Sequence, residues 1–174
     1  MAAPNDAFLR SALAAAFPRL ADAPIHFFDG GTGRRLAGIP PADASIATLW
    51  VTAYSVAHVP GTRRRFYLIQ DFEPMFYPAG TNYALAEESY RLGLYGLCNT
   101  PRLLDIYRRD YGGEGHAFVP AVDPTVFHAE GRAPLDHDRP VTIFLYARPG
   151  HWRNCWEIAS LALDELKAKL GDQV

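Results

Sequence analysis

The loop that follows a run of apolar residues at 66–69 carries the side chains best suited to chemistry. Gln70, Asp71 and Glu73 come directly after this run of aromatic and branched residues, which is typical of a buried strand. Two prolines then prevent the strand from continuing and predict an irregular loop. Because ligands of open α/β sheets collect at the carboxyl ends of strands, we expect a site here, with nearby aromatic rings able to cover a sugar.

The two carboxylates of this loop also allow a different chemistry. Asp71 and Glu73 are two residues apart, so in an extended chain their side chains point the same way, about 6.6 Å apart at ~3.3 Å per residue. Inverting glycosidases separate their acid and base by a similar distance. Glycoside hydrolysis therefore stays open as an alternative, on the condition that the loop is extended.

A second polar cluster precedes a predicted helix near the carboxyl end. Arg148, Arg153 and Asn154 flank the start of that helix, where free backbone N–H groups and the helix dipole favour an anion. Two guanidinium groups can clamp phosphate oxygens and offset the charge that develops on a departing nucleoside diphosphate. The pattern favours a diphosphate site, and solvated surface charges are the alternative.

Composition indicates a soluble protein with the length of one ordinary domain. The 174 residues are 49% hydrophobic and 21% charged, which suits a globular core. A net charge of −2 gives no general attraction to nucleic acid or anionic lipid. Cys98 and Cys155 are too few for a disulfide framework, so we expect reduced thiols and a cytoplasmic protein. We predict no signal peptide and no membrane span, since neither a basic leader nor a long apolar stretch is present.

Apolar periodicity predicts an alternation of strands and helices, which is the pattern of an α/β fold with a Rossmann-like parallel sheet and flanking helices. Thr100 followed by Pro101 is a strong helix start, and Gly112 indicates the helix end. Thr81 or Asn82 is expected to cap the preceding helix. The predicted strands cover residues 25–28, 44–50, 66–69, 94–98, 116–119 and 141–146, and the predicted helices cover residues 8–16, 52–59, 83–92, 101–111 and 156–170.

Other polar motifs have simpler interpretations. Asp136, His137 and Asp138 imitate an Asp-x-Asp metal site, but their proline-rich setting indicates a solvated cluster. The glycines at 30–33 lack the Lys-Ser/Thr ending and the helix of a phosphate loop, and the arginines at 63–65 are expected in a solvated loop. The six histidines show no zinc-ligand spacing. We predict neither a metal nor a cofactor.

The amino-acid composition of the chain changes after residue 122. Residues 123–140 hold three prolines and a glycine among scattered charges, which indicates a linker. A single strand and helix beyond it cannot cover their own apolar faces. Residues 141–174 are therefore interpreted as the opening of a second domain.

Several motifs, in the same order, resemble those of the WsaF-type rhamnosyltransferases, which are bacterial members of glycosyltransferase family 4. The resemblance runs from about residue 25 to the end of the chain. It rests on ATLWVTAY at 47–54, YLIQDFEPMFYP at 67–78, LGLYGLC at 92–98, PAVD at 120–123, YARP at 146–149 and RN at 153–154.

The resemblance implies a GT-B enzyme, in which two Rossmann-like domains face each other across a cleft. Such enzymes move a sugar from a nucleotide donor, here one like dTDP-rhamnose, to a glycan acceptor without a metal. Residues 1–122 would belong to the amino-terminal, acceptor-side domain, residues 123–140 to the linker, and residues 141–174 to the first strand and helix of the donor-side domain. The resemblance also implies a role in polysaccharide biosynthesis and is compatible with peripheral membrane association of the longer protein.

The matched motifs and the site chemistry assign three sets of residues: catalytic Asp71 and Glu73; diphosphate-binding Arg148, Arg153 and Asn154; and acceptor-binding Gln70, Tyr77 and Tyr83. Family 4 enzymes often carry a histidine in the catalytic loop, and this sequence has none there. A whole GT-B enzyme needs about twice this length, so we expect a piece of a longer enzyme that is inactive alone. A noncatalytic carbohydrate-binding or interaction domain is the alternative.

Overall fold

The computed structural model describes residues 6–26, 36, 39–132 and 140–171. The chain divides into two compact units, Met1–Pro120 and Ala121–Val174. Each unit has its own elements of secondary structure. Within the described ranges, no helix is long and apolar enough to cross a membrane.

The first unit is built around four parallel strands. Its elements are α1 (Asp6–Ala16), β1 (Ala42–Ala47), α2 (Trp50–His58), β2 (Thr62–Ile69), α3 (Thr81–Glu88), β3 (Tyr95–Cys98), α4 (Pro101–Tyr111) and β4 (Gly115–Ala117). The strands lie in the order β1-β2-β3-β4, and every neighbouring pair is parallel. The prediction of an α/β fold with a Rossmann-like parallel sheet is confirmed.

The core lies on one face of this sheet. Helices joining adjacent parallel strands by right-handed crossovers fall on the same face, and α2, α3 and α4 share one apolar cluster with the strands. Its buried members are Ala47, Trp50, Ala53, Tyr67, Ile69, Ala86, Tyr90, Leu94, Cys98, Leu104 and Tyr107. Side chains alternate between the two faces of a strand, so Ile46 and Tyr95 lie on the other face, where they are 52% and 40% exposed.

Tyr107 of α4 fixes the packing of that helix on β3 and β4. Its hydroxyl donates to the carbonyl of Leu94 at 2.6 Å, and burial raises its pKa to about 12. The ring lies against Gly96 and Gly113, and a Cβ at Gly96 would be 2.7 Å from a ring carbon. Both glycines are therefore needed to admit the ring.

The ends of α4 agree with the sequence. The Thr100 hydroxyl accepts a hydrogen bond from the backbone N–H of Leu103 at 3.2 Å, which is the usual arrangement of an N-cap. Pro101 occupies the first turn, and Gly112 ends the helix with a φ of 66°. A left-handed residue after a helix is tolerated best by glycine. The predicted start and end of this helix are confirmed.

The helix predicted over residues 83–92 has different ends. It begins two residues earlier, at Thr81, and its N-cap is Gly80, so the prediction that Thr81 or Asn82 caps it is wrong. It ends at Glu88 and continues as a 3-10 turn, Ser89–Arg91. The tighter turn brings the ring of Tyr90 into the core.

The arginines at 63–65 lie inside β2, and their expected place in a solvated loop is wrong. The guanidinium of Arg65 donates to the carbonyls of Val56 and Val59 at 3.1 and 2.9 Å, at the end of α2. Positive charge is favourable at this end of a helix. Arg63 pairs with Asp43 of β1 at 3.2 Å.

Three of the predicted strands need correction. The strand predicted over 44–50 runs from Ala42 to Ala47, and Trp50 already belongs to α2. Ile25 and His26 belong to no strand, and the rest of the strand predicted over 25–28 lies outside the described residues. Residues 141–146 also form no strand, although their apolar run predicts one. A strand needs a neighbour for its backbone groups, and no described residue pairs with this run.

The second unit contains a 3-10 turn, Trp152–Asn154, followed by α5 (Trp156–Leu170). The helix predicted over residues 156–170 is confirmed. The spacing of apolar residues predicts one face of this helix, of which Trp156, Ala159, Leu163 and Leu166 are half-buried and Leu170 is exposed. The assignment of residues 123–140 as a linker and of residues 141–174 to a donor-side domain stays a prediction.

Candidate functional site

Polar residues gather where the parallel strands end. Thr48 follows β1, Gln70 and Asp71 follow β2, and Asn99 follows β3. The amide of Gln70 donates to the carbonyl of Thr48 at 3.0 Å, and the amide of Asn99 donates to the carbonyl of Gln70 at 2.8 Å. These four residues, called here the carboxyl edge, are the part of the first unit where a ligand of a parallel sheet is expected.

The loop after β2 is irregular, as its prolines predict. A 3-10 turn, Glu73–Phe76, interrupts it. The hydroxyl of Tyr90 holds it from the core side, because it donates to the carbonyl of Asp71 at 3.1 Å and accepts the N–H of Glu73 at 3.0 Å. The phenyl ring of Phe72 packs against the same tyrosine, with ring centroids 5.8 Å apart. The backbone on both sides of Phe72 is therefore fixed.

Glu73 points into the protein. Its side chain is 2% exposed, and Oε2 accepts hydrogen bonds from the backbone N–H of Trp50 at 2.6 Å and from the hydroxyl of Tyr67 at 3.0 Å. Trp50 is the first residue of α2, where an acceptor is needed and a negative charge is favourable. Glu73 therefore caps α2 from a distant part of the chain.

Burial dominates the ionisation of this carboxyl group. It raises the pKa of Glu73 above its ordinary value, while the hydrogen bonds from Trp50 and Tyr67 act in the opposite direction. Burial likewise raises the pKa of the Tyr67 hydroxyl, which lies beside this carboxyl group. Tyr67 in turn lies 3.4 Å from the hydroxyl of Ser89. The result is a buried polar network with the carboxylate at its centre.

The two predicted catalytic carboxylates thus have different surroundings. Asp71 is half-buried at the surface, and its Oδ1 accepts the N–H of Phe72 at 2.8 Å. Glu73 begins a 3-10 turn and faces the core. The chain at Asp71 and Glu73 is therefore not extended, and the conformation that glycoside hydrolysis by this pair requires is absent here. The catalytic assignment of Asp71 and Glu73 stays a prediction, and Asp71 is the one with access to a ligand.

The predicted acceptor-binding residues separate into two places. Gln70 lies at the carboxyl edge, and the hydroxyl of Tyr77 accepts the indole N–H of Trp50 at 2.9 Å, close to the same end of the sheet. Tyr83 is half-buried in the first turn of α3. Burial, followed by Glu87 and then Tyr83, raises the pKa of Tyr111 to about 12. The structure thus brings Gln70 and Tyr77 to one end of the sheet and Tyr83 near Tyr111.

The predicted diphosphate residues lie together within the second unit. Arg153 and Asn154 belong to the 3-10 turn that precedes α5. The backbone N–H of Asn154 donates to the carbonyl of His151 at 2.8 Å. A guanidinium nitrogen of Arg148 lies 3.0 Å from Nε2 of the same histidine. Both arginines are exposed and precede α5, as the sequence predicts. Their role in binding a diphosphate stays a prediction.

No group of three or more His, Cys, Asp or Glu side chains that could hold a metal ion occurs in the described ranges. Asp136, His137 and Asp138 lie outside those ranges. Both cysteines are free, with Cys98 buried in β3 and Cys155 exposed before α5.

Sequence reasoning missed Asn99, Tyr90 and the capping role of Glu73. The position of Asn99 directly after a predicted strand was a usable signal, since carboxyl ends of parallel strands share one edge. Tyr90 and Glu73 gave no such signal, because their partners are distant in sequence.

Two comparisons relate this chain to known proteins. Residues 32–96 match the family described as WsaF, N-terminal domain. The chain is also 46% identical over 139 residues to the O-antigen biosynthesis protein RfbC of Myxococcus xanthus, and this alignment covers 80% of the chain. The aligned part spans 11% of that relative. The chain is thus similar to a WsaF amino-terminal domain and to a small part of a much longer O-antigen biosynthesis protein.

Proposed function

We propose that this chain is part of a glycosyltransferase of glycan biosynthesis. It would take part in moving a sugar, rhamnose by its resemblance, from a nucleotide donor such as dTDP-rhamnose to a glycan acceptor. The observation that carries the proposal is the 46% identity, over 80% of the chain, to a protein of O-antigen biosynthesis. The match of residues 32–96 to the WsaF amino-terminal domain supports it as well.

In this proposal the first unit binds the acceptor. The support is chemical, since Gln70 and Asp71 offer hydrogen-bond acceptors at the carboxyl edge and Tyr77 adds a ring nearby. Sugars are bound by such combinations of polar groups and aromatic surfaces. Residues 1–122 are proposed as part of the acceptor-side domain and residues 141–174 as the opening of the donor-side domain, with residues 123–140 between them.

The proposed reaction is a displacement at the anomeric carbon of the donor sugar. An acceptor hydroxyl oxygen forms the new bond to that carbon, and the bond from the carbon to the diphosphate breaks, with the electron pair leaving on the diphosphate. Asp71 is proposed to take the proton of the attacking hydroxyl as a general base. Arg148, Arg153 and Asn154 are proposed to stabilise the departing diphosphate through charge-assisted hydrogen bonds.

The test is a transfer assay on the longest natural polypeptide that contains this chain. dTDP-rhamnose and a panel of other nucleotide sugars are supplied with bacterial glycan acceptors, and the product is identified by mass spectrometry. We expect one sugar to be added only when donor and acceptor are both present. Release of sugar from a glycan without any donor would support hydrolysis and contradict the proposal.

A second candidate is a noncatalytic carbohydrate-binding domain. It is favoured by the burial of Glu73, which leaves Asp71 as the half-exposed carboxylate of the pair. Binding of sugar without binding of any nucleotide, and without transfer by the longer polypeptide, would decide for this candidate.

A further inference from the structure

A row of two side-chain amides, those of Gln70 and Asn99, links the ends of three neighbouring strands. Asn99 continues the ladder after β3, because its backbone N–H donates to the carbonyl of Ile69 at 3.2 Å. Its side-chain amide donates to the carbonyl of Gln70, and the amide of Gln70 donates to the carbonyl of Thr48. Thr100, the next residue, caps α4. Asn99 is therefore held on both sides by regular structure.

The hydrogen-bond pattern fixes which way the amide of Asn99 points. Turning the amide over would place its oxygen 2.8 Å from the carbonyl of Gln70, and two acceptors cannot form a hydrogen bond. In the observed orientation Oδ1 is buried and has no hydrogen-bond partner, the single such side-chain atom in the described part of the chain. A buried acceptor without a donor is unfavourable and calls for a partner that binds there.

The chemistry of the row defines that partner. Gln70 and Asn99 each use one amide N–H on a backbone carbonyl, which leaves each of them the acceptor oxygen and a second N–H. Asp71 beside them is also an acceptor when ionised. Such an edge suits a neutral ligand rich in hydroxyl groups, which both donate and accept, whereas the carboxylate of Asp71 disfavours the negative charge of a phosphate.

We propose that Asn99 is a ligand-contacting residue of the carboxyl edge and that its Oδ1 accepts a hydrogen bond from a hydroxyl of a neutral sugar. This inference rests on the proposed function, because it specifies the ligand class of the acceptor site. The side chain is half-buried. The proposal includes a small rotation about its terminal torsion, which is a soft one in asparagine, that exposes Oδ1 to the sugar while Nδ2 stays on the carbonyl of Gln70.

The experiment is a nuclear magnetic resonance titration of the nitrogen-15-labelled chain. L-Rhamnose is the probe, because it offers several hydroxyl groups and no charge, and inorganic diphosphate is the acceptor-only comparison. The side-chain amide signals are identified by their loss in the Asn99→Ala and Gln70→Ala proteins. We expect L-rhamnose to shift both signals and diphosphate to leave them unchanged.

Two variants separate contact with the ligand from positioning of the edge. Asn99→Ala removes both the acceptor and the amide donor, so we expect binding of L-rhamnose about five-fold weaker. Asn99→Asp keeps an acceptor oxygen and loses the donor, so we expect it to bind more tightly than Asn99→Ala. Ser11→Ala, at an exposed position of α1, is the control and should bind as the wild type does.

The proposal is overturned if L-rhamnose leaves the Asn99 signal unmoved, or if diphosphate shifts it equally. It is also overturned if Asn99→Ala binds as the wild type does, or if Asn99→Asp and Asn99→Ala are equally weak, which is the result of a purely positioning role. The proposed function fails separately: sugar binding at this edge, without transfer by the longer polypeptide, retains the inference and rejects the transferase. Transfer by the longer polypeptide, with the same KM for acceptor in Asn99→Ala as in the wild type, supports the proposed function and rejects the inference about Asn99.

Discussion

Replacing Glu73 by alanine should destabilise the first unit far more than replacing any exposed carboxylate. Oε2 of Glu73 accepts hydrogen bonds from the N–H of Trp50 and the hydroxyl of Tyr67. Both donors are enclosed, since Trp50 is 9% exposed and Tyr67 is 0% exposed. Without the carboxylate, the N–H of Trp50 loses its acceptor, and the hydroxyl of Tyr67 is left with the hydroxyl of Ser89 at 3.4 Å.

The expected size follows from these two bonds. A hydrogen bond to a charged group contributes about 1.5–3 kcal/mol, so losing both costs ~3–6 kcal/mol. Part of this is offset because the carboxylate no longer has to be buried. We therefore expect Glu73→Ala to lower the free energy of unfolding by about 2–4 kcal/mol. Glu73→Gln should lower it by no more than about 1 kcal/mol, because the amide oxygen can take the place of Oε2.

The measurement is urea unfolding at neutral pH, followed by the near-ultraviolet circular dichroism of the buried aromatic residues. Glu88→Ala is the matched control, because Glu88 is an exposed glutamate of α3 that pairs with Arg91 at 3.1 Å. Such a surface pair should change the free energy of unfolding by less than about 1 kcal/mol. The capping role of Glu73 is refuted if Glu73→Ala costs no more than Glu88→Ala, or if Glu73→Gln is as harmful as Glu73→Ala.

Three further predictions concern pH, the second unit and α4. Burial raises the pKa of Glu73 above its ordinary value of 4.5. The stability that comes from this raised pKa is fully present below pH 4.5 and is lost as pH rises through the pKa of the folded state. The free energy of unfolding of the wild type relative to Glu73→Gln should therefore fall as pH rises above 4.5, and a rise would contradict this. In the longest natural polypeptide, Arg148→Gln and Arg153→Gln should each weaken dTDP binding by about 1.5–3 kcal/mol in calorimetry, whereas Arg132→Gln should not, and equal affinities would remove the diphosphate assignment. Thr100→Ala should lower the free energy of unfolding by about 1 kcal/mol through loss of the N-cap, and an unchanged urea midpoint would show that the cap is dispensable.

Features governed by nearby residues were predictable from the sequence. The start of α4 needs a capping hydroxyl and a proline, and both lie next to each other at Thr100 and Pro101. The end of β2 at Ile69 is indicated by the apolar residues before it and by the prolines in the loop after it. Parallel order then follows from the alternation of strands and helices. Gln70 and Asp71 of the carboxyl edge could therefore be located without coordinates, whereas Thr48 and Asn99 were missed.

Features that depend on distant partners were not predictable. The orientation of Glu73 is decided by Trp50, which is 23 residues away, so spacing alone suggested that it would share a face with Asp71. Arg65 lies in a strand because the end of α2 supplies carbonyls for its guanidinium. The run at 141–146 has strand-forming residues but no described neighbour to pair with. In each case a local pattern was overruled by a tertiary contact, or by the lack of one.

The central claim is that the carboxyl edge of this sheet belongs to the acceptor site of a sugar transferase, with Asp71 as its base. Its most direct test is the turnover of Asp71→Asn in the longest natural polypeptide, measured beside its affinity for dTDP. Loss of a general base lowers a rate by about 10²–10⁴-fold, so we expect kcat to fall by that factor while dTDP binding is unchanged. Asp43→Asn, which alters an exposed pair on β1, should leave both unchanged. Wild-type turnover by Asp71→Asn would contradict the claim.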